Sequence, residues 1–296
     1  MTVDVAAAAE FLASSARVLD RRRFELLFGG GEPAPVLAAL DGYRNTDGGY
    51  GWGLEPDLRS VTSQPAGALH ALEALVGTGA AGADRALAVC DWLATVTLLD
   101  GGLPFALPVP DPAACAPFWA DADPTRSSLQ ITAVVAATAH LVAAAVPAVA
   151  DHRWLRQATA HCLDAIAELP ADVHAMELAF AVRFLDAAAP AWPRVVPALV
   201  DRLRAHVPAD GLLHVAGGAP DEYMRPLDFS PLPGGPARTL FPPEVVDREL
   251  DRLEAGQQDD GGWSVDFVSY SAAATLEWRG HSTVEALALL RANSRI

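Results

Sequence analysis

Lysine is absent from this 296-residue chain, so all 21 basic side chains are arginine, and they face 37 acidic ones for a formal net charge of −16. Such an excess of acid excludes nonspecific binding to nucleic acid, which needs basic side chains to displace counterions from phosphates. No basic stripe compensates; the short run Arg21-Arg22-Arg23 reads as the solvated face of a helix. Cysteine is scarce, and Cys90, Cys115 and Cys162 are odd in number with no C-x-x-C spacing. A disulfide framework is excluded, and no zinc tetrahedron or other metal site is expected. No long uninterrupted apolar run occurs. The most apolar stretch, Ile131 to Ala150, contains His140 and Pro147 and reads as a buried helix, so no integral membrane segment is expected. Asp4 and Glu10 interrupt the alanine-rich start, which is unlike a secretory leader, and a cytoplasmic location is expected. A Gly-x-Ser-x-Gly elbow is also missing, which argues against an esterase-type nucleophile.

What the chain does have is hydrophobic residues, 51% of the total, and 23 glycines, several of them in a recurring phrase. Asn45-Thr46-Asp47-Gly48-Gly49-Tyr50-Gly51-Trp52 near one end matches Gln257-Gln258-Asp259-Asp260-Gly261-Gly262-Trp263 near the other. Asp100-Gly101-Gly102 and Asp210-Gly211-Leu212 are looser copies. The turn aspartates at 47, 100, 210 and 260 are 53, 110 and 50 residues apart, so the middle interval has room for two units. A period near fifty residues suits two helices and two connections. Aspartate can cap such a turn, glycine supplies positive φ or close approach, and an aromatic ring can plug the gap between helices. Recurrence of this kind favours scaffold over catalysis.

The Gln257-to-Trp263 phrase resembles the glutamine-to-tryptophan repeat of squalene-hopene cyclases, and Asp47 to Trp52 is a looser copy. The wider chain is similar to bacterial proteins of the prenyltransferase and squalene-oxidase repeat group. That resemblance implies an all-α fold: an alpha/alpha toroid, an incomplete or full (α/α)6 barrel of about 50-residue two-helix repeats. Residues 1–296 would form one domain, since no Gly/Ser or charged linker divides them. Inner helices are expected over 63–76, from Ser127 to Ala145, after Asp172 through Met176, Phe180 and Phe184, and after a Ser282/Glu285 capping box. Outer helices are expected over 10–28, 34–43, 83–97, 152–169, 193–206 and 243–255. The proline-rich stretches 104–124 and 216–243 would be loops that shape a pocket.

Polar residues next to the starts of inner helices are the candidates for chemistry. Asp57 and Asp123 are the leading acids, with Glu55 and Asp228 as partners, because burial can separate the pKa values of neighbouring carboxylates. Trp52, Trp119, His174, Glu177, Tyr223, Trp263, Tyr270 and Trp278 are candidate binding residues, the aromatic ones as walls for a cationic intermediate. The resemblance implies a terpenoid-cyclase-like enzyme acting on an isoprenoid or related hydrophobic small molecule in a central cavity. The chain departs from that family's activity motifs: it has neither Asp-x-Asp-Asp nor Asp-Asp-x-x-Asp, and Asp121-Ala122-Asp123-Pro124 retains only a fragment. No cofactor is expected, with Mg2+ entering only alongside a diphosphate substrate. A carbohydrate-processing alpha/alpha barrel with paired carboxylates and a noncatalytic binding toroid are the alternatives.

Overall fold

The computed structural model describes residues 3–296. Helix accounts for 57% of the chain and strand for 4%, which makes the fold all-α. In chain order the helices are α1 (Val5–Ser15), α2 (Val18–Phe28), α3 (Pro33–Asp41), α4 (Pro65–Val76), α5 (Ala83–Val96), α6 (Pro117–Ala120) and α7 (Leu129–Ala143). They continue as α8 (Pro147–Ala150), α9 (Arg153–Ala167), α10 (Ala175–Ala188), α11 (Val196–Leu203), α12 (Pro226–Phe229), α13 (Pro243–Ala255) and α14 (Ala272–Ala292). A two-residue antiparallel pair, β1 (Leu213–His214) and β2 (Tyr223–Met224), lies between α11 and α12.

Helix α7 occupies the middle of the fold, packed between α4 and α10 and backed by α9. Its alanines and valines are buried around nearly the whole circumference, from Ala133 through Ala137 and on to Ala139 and Val142. Small side chains let the neighbouring helices approach closely, so the space beside α7 is filled by protein. The flanking helices are amphipathic instead. On α9, Trp154, Leu155, Ala158, Cys162, Leu163 and Ile166 face inward while Arg153, Arg156, Gln157 and Asp164 face water, a 3.6-residue stripe. Helix α14 packs on α1, α2 and α13, and α2 packs on α3.

The recurring aspartate-glycine phrases adopt one local geometry. Asp47, Asp100, Asp210 and Asp260 each accept, through Oδ1, the backbone N–H two residues on, at 2.9, 3.1, 3.1 and 3.1 Å. The following glycines, Gly48, Gly101, Gly211 and Gly261, have φ of 92°, 91°, 74° and 90°, the left-handed region an L side chain avoids. In three copies the residue two before the aspartate both donates to and accepts from the backbone across the turn: Asn45, Leu98 and Gln258. The fourth copy has Pro208 there, which accepts from Gly211 but has no N–H to donate. The serine heading the next helix joins two of these turns: Ser63 donates to Asp47 at 2.8 Å and Ser127 to Asp100 at 2.6 Å.

Three element boundaries differ from the sequence expectation. The stretch 10–28 is two helices, because Ala16 and Arg17 are extended and Arg17 turns its guanidinium to Asp20 and to the Leu54 carbonyl. His174, not Asp172, caps α10, its ring accepting from the Met176 N–H at 3.3 Å. Helix α14 starts ten residues before the expected Ser282, capped by Ser271, whose hydroxyl accepts from Ala274 N–H at 3.0 Å. Gly280 within it is kept free of a side chain by Ala16, between α1 and α2, and Asp20 on α2: a Cβ there would lie 2.8 Å from the Ala16 Cβ.

Candidate functional site

The segment between the first turn and α4 carries Glu55 and Asp57 inward, and both are buried. Glu55 Oε1 accepts the Asp57 N–H at 3.0 Å, while its Oε2 lies 2.7 Å from His70 Nε2. His70 stands on the first half of α4, and its other ring nitrogen, Nδ1, is 2.7 Å from Oε2 of Glu73 one turn further along. Burial would lower the His70 pKa, yet the two flanking carboxylates outweigh it and hold the ring up to about 10. An imidazolium that donates from both nitrogens is the consistent assignment. Glu73 responds in the opposite direction: burial would raise it, but charged His70 pulls it down to about 2.

Helix α14 closes this group from the other side. His281 Nε2 is 3.9 Å from Glu73 Oε2, and its Nδ1 is 3.5 Å from the Arg23 guanidinium. Burial, with charged His70 and Arg23 close by, keeps His281 well below the usual histidine range. Arg23 in turn is paired to Glu285 at 2.5 Å, and Arg17 to Asp20 at 2.7 Å. Two neutral ion pairs, Arg17–Asp20 and Arg23–Glu285, therefore border a triad of two carboxylates and one histidine, with neutral His281 beside it.

Asp57 works as a fastener. Its Oδ2 accepts the Trp278 indole N–H at 2.7 Å, and Oδ1 accepts from the Tyr270 backbone N–H at 2.9 Å and the Ser269 hydroxyl at 3.1 Å. Its carbonyl also accepts from Ala116 N–H at 2.8 Å. Nearby, Arg59 pairs with Glu277 at 2.6 Å. Three segments distant in sequence thus meet, and they bring aromatic rings with them. Phe118 meets Tyr270 edge-on at 5.6 Å, Phe105 stacks on Trp119 at 4.4 Å, and Trp278 meets Phe267, His70 and His281 at 5.2, 5.6 and 5.6 Å. Phe118 and Tyr270 are about half exposed, so the rings reach the surface on one side of Asp57 while Trp278 meets His70 on the other.

Of the residues singled out from sequence, Glu55, Asp57, Trp119, Tyr270 and Trp278 meet here. The others lie elsewhere. Asp123 is exposed in its own turn and accepts from Thr125, which lowers its pKa. Trp52 is 55% exposed at a left-handed φ of 57°, its indole donating to Asn45. Trp263 is a buried plug whose indole donates to the Leu253 carbonyl at 2.8 Å. His174 caps α10, Glu177 on the same helix is partly buried with a raised pKa owing to that burial, and Tyr223 packs on His214 in the hairpin. Asp228 accepts the Arg225 N–H at 2.7 Å at the start of α12, and burial, reinforced by Asp266 and Glu249, pushes it up to about 6.

Arg23, expected on a solvated helix face, is instead buried and paired with Glu285, while His70 and Glu73 were not singled out. Their signal was present in part: His70-x-x-Glu73 is an i,i+3 pair on a helix expected to be inner. The leucines beside them drew the reading of α4 toward packing alone. His70, Glu73 and His281 also form a group whose ligand atoms all lie within 4.8 Å of one another, a set able to hold a metal ion. Two surface hollows, of about 470 and 420 Å³, lie away from this centre. One is lined by Gln258, Asp260, Ser264 and Arg279, the other by Asp47, Ser63, Trp92 and Leu107. Both sit at recurring turns. No helix among the described residues is long and apolar enough to cross a membrane.

No protein-family model and no curated protein matches this chain. The chain is similar in structure to a solved protein from Actinoplanes. The two superpose with a TM-score of 0.54 at 17% sequence identity, over 98% of this chain and 100% of that one. At that identity the likeness concerns the course of the helices and carries no activity.

Proposed function

We propose that this chain is a terpenoid-cyclase-like alpha/alpha toroid that binds an isoprenoid or related hydrophobic small molecule where α4 and α14 meet. The four aspartate-glycine turns, which share an Asx bond and a left-handed glycine, support the ring of two-helix repeats, with the chain forming one domain. The observation that carries the binding reading is the half-exposed pair Phe118 and Tyr270, with partly buried Trp278, beside buried Glu55, Asp57 and His70. Rings and carboxylates together favour a ligand that is apolar with a positive centre. Acid/base chemistry there would run through Glu55 and His70. Asp57 has both oxygens engaged by three donors, which makes it a poor proton donor, and Asp123 faces water.

A second reading, a noncatalytic binding toroid, is favoured by the protein-filled surroundings of α7, because a cyclase needs a deep cavity for its folded substrate. One experiment separates the two. Purified protein is incubated with prenyl diphosphates and squalene-like polyenes while tryptophan fluorescence and product masses are followed. Saturable quenching that weakens in Phe118→Ala and Trp278→Phe is expected. A new product mass lost in Glu55→Gln would make the protein an enzyme, and quenching without product would make it a binder. No quenching by any apolar ligand would overturn both.

A further inference from the structure

We infer that His70, Glu73 and His281 bind one divalent transition-metal ion, with Glu55 holding His70 in its ligating orientation. The three residues come from two helices whose side chains meet, His70 and Glu73 one turn apart on α4 and His281 facing them from α14. Metal–nitrogen and metal–oxygen bonds near 2.0–2.2 Å put the donor atoms around one ion roughly 3–3.5 Å apart. The separations here, 2.7 Å from His70 Nδ1 to Glu73 Oε2 and 3.9 Å from Glu73 Oε2 to His281 Nε2, bracket that spacing. Small rotations of the Glu73 carboxylate and the His281 ring would equalise them. His281 presents Nε2 to this gap because its other nitrogen faces Arg23.

The surroundings match what a ligating histidine needs. Glu55 Oε2, 2.7 Å from His70 Nε2, would accept that N–H and fix the tautomer in which Nδ1 offers its lone pair. A carboxylate behind a histidine is the arrangement that orients and strengthens metal-binding imidazoles. Charge points the same way. Glu55 and Glu73 with a neutral His70 and a dication would bring the group to zero net charge. The nearest cations, Arg23 and Arg17, are already balanced by Glu285 and Asp20. Two imidazoles and one carboxylate suit zinc or ferrous iron and disfavour calcium or magnesium, which take oxygen ligands. Three protein ligands also leave a coordination position open, as in catalytic sites, and an ion there would supply Lewis acidity beside the aromatic face.

The inference concerns the same place as the binding reading but needs no substrate, so either can fail without the other. The test strips the full chain with a chelator, titrates it with Zn2+ by calorimetry, and follows Co2+ by its visible absorption. One ion per chain is expected, with the absorption bands of an imidazole-bound cobalt. His281→Gln and Glu73→Gln should lose saturable binding while retaining their helical circular dichroism, and Glu55→Gln should weaken it by about 10–100-fold. His152→Gln, altering a histidine paired with exposed Asp91, serves as the control with unchanged affinity. Absence of stoichiometric Zn2+ binding in the unaltered protein would overturn the inference. So would undiminished binding in a folded His281→Gln. Should both ligand variants unfold, the cobalt spectrum of the unaltered chain decides alone, and bands lacking imidazole character would reject the site.

Discussion

His70 sits between two carboxylates, and that position fixes how the metal-free protein responds to pH. Its pKa is raised on folding, from 6.5 to about 10, so its stabilising contribution is complete below about pH 6.5 and disappears as pH rises through about 10. Glu73, lowered from 4.5 to about 2, contributes fully above about pH 4.5 and loses its effect as pH falls through about 2. Denaturant midpoints measured from pH 6 to 10 should therefore fall, and His70→Gln should flatten that decline; an equally steep decline in the variant would contradict the assignment. Asp57 makes a separate prediction. Asp57→Ala leaves the Trp278 indole, the Tyr270 amide and the Ser269 hydroxyl without their acceptor, at a cost of about 1–3 kcal/mol for each donor left buried. Urea unfolding should show a loss of that order, with Asp57→Asn losing less because it retains one oxygen acceptor.

Among the elements, the recurring turns were the most legible in sequence, because an Asx turn and a left-handed glycine depend on residues adjacent in the chain. Asp47, Asp100, Asp210 and Asp260 all adopt the expected capping role. The start of α14 was not legible. Its first ten residues include Glu277, Arg279, Gly280 and His281, which interrupt any apolar stripe because Glu277 pairs with Arg59, Arg279 with Asp260, Gly280 lies against Ala16 and Asp20, and His281 approaches Glu73 on α4. The charged centre was half legible for a related reason. Glu55, Asp57, Tyr270 and Trp278 could be picked out as polar or aromatic groups near helix starts. The contacts that complete the centre join positions up to 262 residues apart, as in Arg23 with Glu285, and such pairing has no local signal. The turn glycines can be ranked by experiment. Gly217→Ala, with positive φ but open space around it, should cost about 1–2 kcal/mol from backbone strain. Gly261→Ala should cost clearly more, since its Cβ would fall 2.2 Å from the Ala7 carbonyl oxygen. Thermal denaturation of the two variants tests the order, and equal losses would refute it.

Across the whole molecule, α1 and the turn before α14 are tied by a two-way bond. Asp4 N–H donates to Gln257 Oε1 at 2.8 Å, and Gln257 Nε2 donates to the Asp4 carbonyl at 2.8 Å. The glutamine of the repeat phrase therefore acts as a clasp between segments 253 residues apart. Gln257→Ala should accelerate amide exchange in α1 while leaving α7 protected, because α7 is buried among its neighbours and α1 is held along one side. Hydrogen-exchange mass spectrometry measures this directly, and unchanged exchange in α1 would show that the clasp contributes nothing.

The same long-range closure bears on how the protein is made. Trp278, His281 and Glu285 all lie on α14, which leaves the ribosome after every partner they will meet. Until then Asp57 lacks its indole donor, Arg23 lacks its carboxylate, and the His70 group stands open on the side that α14 covers. These groups stay solvated until α14 docks, so that helix completes the centre, and a chain in which α14 is undocked would display Asp57 and Arg23 without their partners to the cell's quality-control machinery.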